Sequence, residues 1–114
     1  MPFDVTPPNL TEVIDARLVL ERAAQLVTRG WCRCSLARRN WLIPVVVTSP
    51  AARRFCASGA IFRAAHDLGI SEHRASMLLR RVAEEAGYDS IIDWNDRSTT
   101  RTRVVVGMRR AMEM

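Results

Sequence analysis

"HDLGISEHRASMLLRR" (residues 66–81) decides how the chain is read: one helix ends at Gly69, another begins at Ser71, and the second carries the pair Arg80–Arg81. A glycine just past a helix takes the left-handed backbone conformation that other residues resist, and a serine can then cap the next helix with its hydroxyl. The expected result is a helical corner. Counted from Ile61, the spacing matches a helix-turn-helix: Ala65 where the helices cross closely, Gly69 in the turn, Ile70 directed into the core and Leu78 on the buried face. Ser71, Glu72, His73, Ser76, Met77 and Arg80 then lie on the outer side, with Arg74 and Arg81 near phosphates. Arginine pairs bidentately with guanine and with phosphate, so the residue types are usable for DNA. The same order of small residue, glycine and serine also describes a plain packing corner. Ala75 is smaller than the branched residue expected at the inner position, and Glu72 brings negative charge toward phosphates. Both readings stay open at the level of sequence.

Upstream, "TSPAARRFCASGAIFRAAHDLG" offers Ser49 as an N-cap and Pro50 at the first helical position, with Phe55, Cys56, Gly59, Ile61, Phe62 and Ala65 as an apolar face. Between Trp31 and Val47, "WCRCSL" alternates, "ARRN" has turn character and "WLIPVVV" is rich in β-branched residues, which predicts a short hairpin whose second strand is interrupted by Pro44. Before it, Asn9 and Glu12 form a capping-box pair. Val13, Ile14, Leu20, Ala24 and Val27 recur at helical spacing, so a helix is expected from about Leu10 to Arg29, stopped by a left-handed Gly30. Residues 1–8, with three prolines, read as an extended arm and 9–114 as one domain. Downstream, the helix from Ser71 ends at Gly87, a short "SIIDWND" segment follows, and Ser98 or Thr99 caps a last helix burying Val104, Val105, Met108 and Ala111. The expected fold class is mainly α: four helices, a small hairpin after the first and a helix-turn-helix-like corner.

Composition bounds the function. The 114 residues are 48% hydrophobic and 25% charged, ordinary globular usage for a single core. Seventeen basic residues against twelve acidic ones give a net charge of +5, which favours polyanionic partners through a salt-sensitive attraction. All seventeen are arginine, a bias that GC-rich coding produces as readily as selection for bidentate contacts. "MPFDVTPPNL" lacks the basic and apolar regions of a secretory signal, and no apolar run approaches the roughly 20 residues of a spanning helix, so a cytoplasmic protein without membrane partners is expected. Its cysteines are then reduced.

The sequence points to no enzyme and no cofactor. Structural zinc sites show paired Cys or His spacings, whereas Cys32 and Cys34 form a lone C-x-C with Cys56, His66 and His73 scattered beyond. A thiol nucleophile needs a histidine in reach, and ten residues along one helix place Cys56 and His66 roughly 15 Å apart. Cys32 and Cys56 are expected as small buried hydrophobes. In "DWND" Trp94 is expected in the core, with Asn95 or Asp96 holding a turn that caps the last helix; Trp31 and Trp41 are expected to pack in the core or hairpin.

Taken together, "RGWC" (29–32), "RFCASGAIFRAA" (54–65), "WND" (94–96) and "RT" (101–102) resemble a family of small bacterial and phage proteins of unknown function sharing GWC, FCxxGAIxRA and WND…RT motifs. The resemblance marks Trp31, Cys32, Phe55, Cys56, Gly59, Ala60, Arg63, Trp94, Asn95, Asp96 and Thr102 and implies no catalytic role for them. It adds a second functional expectation, a phage or mobile-element protein that binds and modulates a host protein such as a defence-system component. The first is a nucleic-acid-binding module, a small regulator acting through the corner helix and, as a homodimer, reading two half-sites.

Overall fold

Asn9 stands in extended backbone and its side-chain oxygen accepts the Glu12 amide at 2.8 Å, so the first helix begins where a cap satisfies an orphan donor. The computed structural model describes residues 9–97 and 100–114; the expected arm over 1–8 and the expected caps Ser98 and Thr99 lie outside the described residues. Five helices and one two-stranded antiparallel sheet follow along the described chain: α1 (Leu10–Arg29), β1 (Ala37–Arg38), β2 (Arg54–Phe55), α2 (Ala57–Leu68), α3 (His73–Glu85), α4 (Ile91–Arg97) and α5 (Arg101–Met112). The mainly α class is as expected. The count is five helices, not four, because "IIDWNDR" is itself helical: Ser90 accepts the Asp93 amide and starts α4.

α1 is central and packs against α2, α3 and α5. It buries Ala16, Val19, Leu20, Ala23, Ala24, Leu26 and Val27, while Ile14, expected inside, is exposed. Gly30 ends it in extended backbone (φ −168°) and not in the left-handed conformation expected. Its role is close approach: a Cβ there would lie 2.2 Å from the Arg53 carbonyl oxygen. The core around α1 is one cluster, completed by Phe55, Ile61, Leu78, Leu79, Trp94, Val104 and Met108. Burying such side chains stabilises by about 1.5–3 kcal/mol each before conformational entropy is subtracted.

The segment between α1 and α2 holds a small antiparallel strand pair, as expected, but not between the strands expected. "ARRN" does turn, and Asn40 accepts the amides of Leu42 and Ile43. Pairing across that turn, however, reduces to an isolated Arg38–Pro44 bridge, because proline has no amide to extend a ladder. The regular partner of β1 is β2, in register Ala37 with Phe55 and Arg38 with Arg54. Phe55 also bridges Trp31 in parallel, its amide donating to the Gly30 carbonyl at 2.9 Å and its carbonyl accepting the Cys32 amide at 3.2 Å. β2 therefore lies between the chain leaving α1 and β1, although its sequence reads as helix.

Ser49 and Pro50 form a turn that Ala52 closes onto the Ser49 carbonyl, so this cap signal starts no helix. α2 starts seven residues later, with Cys56 as N-cap accepting the Gly59 amide at 3.3 Å. Phe55 and Cys56 are thus buried but precede the helix, and Phe62 is exposed. Gly59 is required in the first turn, since a Cβ would fall 1.9 Å from the Leu36 carbonyl oxygen. The last helix is capped by Thr100, whose hydroxyl accepts the Arg103 amide.

Candidate nucleic-acid interface

The turn of the corner at 66–81 forms as its sequence predicts, but Ser71 is not the N-cap expected: that position falls to Glu72, which makes no side-chain cap hydrogen bond. Gly69 is left-handed (φ 67°), Ala65, Ala75, Leu78 and Leu79 are buried, and Ile70 is half-buried against the core. α3 begins at His73, whose amide donates to the Ser71 hydroxyl at 3.1 Å. Ser71, His73, Met77, Arg80 and Arg81 are exposed and Ser76 is half-buried. Arg80 pairs with Glu84 on its own helix at 3.8 Å. Arg74, expected near phosphates, is half-buried: with Ser71, His73 and Met77 it lines a cleft of about 340 Å³ that Glu12 and Asp15 of α1 also line, and its Nε is shielded from solvent without a hydrogen-bond partner. α3 carries three arginines and two glutamates, so its own surface charge is nearly balanced.

The motifs that resemble the family converge elsewhere. Asn95, fully buried on α4, accepts the Trp31 indole Nε1 at 2.8 Å and the Ala57 amide at 2.9 Å. Its Nδ2 donates to the Cys32 carbonyl and to Asp96 Oδ1, both at 3.1 Å. Asp96 Oδ1 also accepts the Cys34 amide at 2.9 Å, holding that non-glycine residue in left-handed backbone (φ 61°). Contrary to expectation, neither Asn95 nor Asp96 caps the last helix, whose N-cap is Thr100. They fasten the loop after α1 to the start of α2. Trp94 packs in the core as expected. Arg63 donates to the carbonyls of Val47 and Ser49 at 3.1 and 2.7 Å and pairs with Asp67 at 3.0 Å, fixing the turn before β2. Phe55, Gly59 and Ala60 are buried and Thr102 is exposed.

The cysteines divide by environment. Burial, with Cys56 nearby, pushes the Cys32 thiol up to about 11, and it donates to the Ser35 carbonyl at 3.4 Å. Burial also raises Cys56, while Cys34 is exposed. Thiols held protonated in this way are poor nucleophiles and poor metal ligands. Among the described residues no three His, Cys, Asp or Glu side chains converge as a metal site, and no helix is long and apolar enough to cross a membrane.

Charge is segregated along the chain, a signal present in the sequence and hidden by the summed value. From Arg22 to His66 there are eight arginines and no acidic residue, leaving nine arginines against twelve acidic residues elsewhere. Five of the eight, Arg33, Arg38, Arg39, Arg53 and Arg54, lie in the segment that joins α1 to α2, the arginine-rich layer. There Trp31, Cys32, Arg33, Arg38, Trp41 and Arg54 line a cleft of about 290 Å³. Trp41, expected to pack, is 74% exposed, with the Arg54 guanidinium 3.7 Å from its ring centroid; Arg33 lies 4.8 Å from that of Trp31.

No curated protein and no solved structure matches the chain. The sequence profile of a family of unknown function, DUF6197, matches residues 12–114, nearly the whole of the described fold. The chain belongs to that family.

Proposed function

We propose that the protein is a non-enzymatic nucleic-acid-binding module and that its arginine-rich layer, Arg33 to Arg54, is the main contact surface. The observation that carries this reading is the charge segregation: eight arginines without one carboxylate between Arg22 and His66. Arg33, Arg38 and Arg54 of this stretch converge on one cleft, and arginines gathered without acids attract a polyanion more strongly than the same charges interspersed with them. The corner, α3 with the turn before it, is the subsidiary contact, offering Ser71, His73, Met77, Arg80 and Arg81, while Arg74 lines a cleft with Glu12 and Asp15. A small regulator, dimeric on duplex DNA, is the form this function takes if α3 reads base edges.

Fluorescence anisotropy with labelled DNA across a salt series tests the reading. The pair Arg33→Ala and Arg39→Ala is expected to weaken binding and to reduce the salt slope by up to about 2, one unit for each phosphate no longer neutralised. The pair Arg80→Ala and Arg81→Ala should do less. Absence of binding at low salt overturns the proposal, and the reverse ranking of the two pairs returns the main contact to the corner.

A second reading, a phage or mobile-element protein that modulates a host protein, is favoured by one observation. Trp41, Leu42, Ile43 and Val46 are exposed together on the turn between β1 and β2. Clustered exposed apolar side chains of this kind mark protein contacts. A pull-down from host lysate that captures a defined protein with the native chain, and fails to capture it with Leu42→Asp, would support this reading.

A further inference from the structure

The cleft lined by Trp31, Arg33, Arg38, Trp41 and Arg54 has a composition that duplex DNA does not use fully. Among the described residues its walls hold three guanidinium groups, two indole rings and no carboxylate. Both rings are positioned. The Trp31 indole donates to Asn95, and the Arg38 guanidinium donates to the carbonyls of Trp41 and Arg33, each at 3.4 Å, tying the two ends of the loop together. Arg54 donates to the Trp31 carbonyl at 3.4 Å and lies over the Trp41 ring. A guanidinium has five N–H donors, and those contacts engage one or two on each of Arg38 and Arg54, so donors remain for a phosphate. Trp41 keeps most of its surface in solvent despite the Arg54 stack.

Indole faces stack on nucleobases whatever their sequence, and guanidinium forks take the phosphates between them. Base faces are accessible only when a strand is unpaired. A duplex presents phosphates and base edges, which the arginines could meet but the rings could not. At about 290 Å³ the cleft lies near the lower end of ligand-pocket sizes, in keeping with one nucleotide of a strand that continues along the flanking arginines. We propose that this cleft is a single-stranded nucleic-acid site in which an unpaired base stacks on Trp41 and the adjoining phosphate is held by Arg38 and Arg54. The inference rests on the nucleic-acid reading above and narrows it to unpaired strands.

The test uses the full chain with three fluorescent oligonucleotides of equal length at one salt concentration: an oligothymidylate, a duplex, and an abasic strand with the same phosphates. The oligothymidylate is expected to bind about tenfold or more tightly than either of the others. Trp41→Ala should weaken oligothymidylate binding by about tenfold and leave duplex binding within about twofold, and Trp41→Phe should recover most of the affinity. Trp41 is a surface residue, so folding of these variants is expected to be preserved and is checked by circular dichroism; if Trp41→Ala misfolds, the abasic comparison on the native chain decides alone. Equal binding of the abasic strand and the oligothymidylate overturns the stacking site while leaving the polyanion reading in place. So does duplex binding as tight as single-strand binding and insensitive to Trp41→Ala. Failure of all three oligonucleotides to bind overturns both.

Discussion

Asn95 Oδ1 accepts the Trp31 indole Nε1 at 2.8 Å, joining residues 64 positions apart, and the same oxygen accepts the Ala57 amide at the start of α2. One fully buried amide side chain thereby ties together the end of α1, the start of α2 and α4. Leaving a buried donor or acceptor unsatisfied costs about 1–3 kcal/mol. Asn95→Ala removes the partners of two donors and of the Cys32 carbonyl at once, so a destabilisation of about 3 kcal/mol or more is expected by urea denaturation. Asn95→Asp keeps the acceptor and removes the donor beside Asp96, and should destabilise less at low pH, where the new carboxyl is protonated, than at neutral pH.

Gly59 and Gly69 are glycines for different reasons. Gly69 has open space around it and a left-handed backbone, so Gly69→Ala should cost about 1 kcal/mol from backbone strain alone. At Gly59 a Cβ would sit 1.9 Å from a backbone oxygen, which cannot rotate away. Gly59→Ala is expected to cost clearly more, about 2 kcal/mol or above, and to shift the chemical environment of Leu36 in NMR spectra. Equal costs for the two variants would contradict this packing.

Alkylation should separate the thiols. Cys34 is exposed and should react first with iodoacetamide at about pH 8, whereas Cys32 and Cys56 should react at rates set by unfolding. The Cys32 thiol titrates near 11 in the fold against an ordinary value of 9, so between those limits the folded chain keeps a proton that the unfolded chain has released. Stability is therefore expected to be insensitive to this group below about pH 9 and to fall as pH rises toward 11. Cys32→Ser should flatten that fall, and a Cys32 that labels as fast as Cys34 in the native chain would contradict the assignment.

Arg63 acts as a clamp on the turn at 47–49 and is not a ligand-facing residue of the arginine-rich layer. Lysine cannot reproduce a planar fork that reaches two carbonyls and a carboxylate. Arg63→Lys is accordingly expected to speed amide hydrogen exchange at Val47–Ala52 and to cost about 1–2 kcal/mol, with nucleic-acid affinity changed by less than about twofold.

Local signals in the sequence were sufficient for the parts of the fold whose hydrogen bonds close within a few residues. The cap at Asn9, the turn at Asn40, the left-handed Gly69 and the buried face of α3 each depend on neighbours three or four positions away, and all appear where their residue types place them. Arg54–Phe55 read as helix because a serine and a proline precede them and a helix follows. They form a strand because Gly30, Leu36 and Arg38 supply partners for this stretch of backbone, and no helix could use those partners. Asn95 read as a turn residue for the same reason: its partners are remote, and short-range spacing carries no trace of them.

The division for the candidate interface is similar. Sequence alone determined the arginine-only basic balance, the corner and the motifs of the family, since composition and local periodicity need no partner to be legible. That Arg74 shares a cleft with Glu12 and Asp15, that Trp41 stands in solvent under Arg54, and that Trp31 and Asn95 meet is legible only in the folded chain. Each depends on which surfaces the packing around α1 brings together, and that packing is set by the whole core at once.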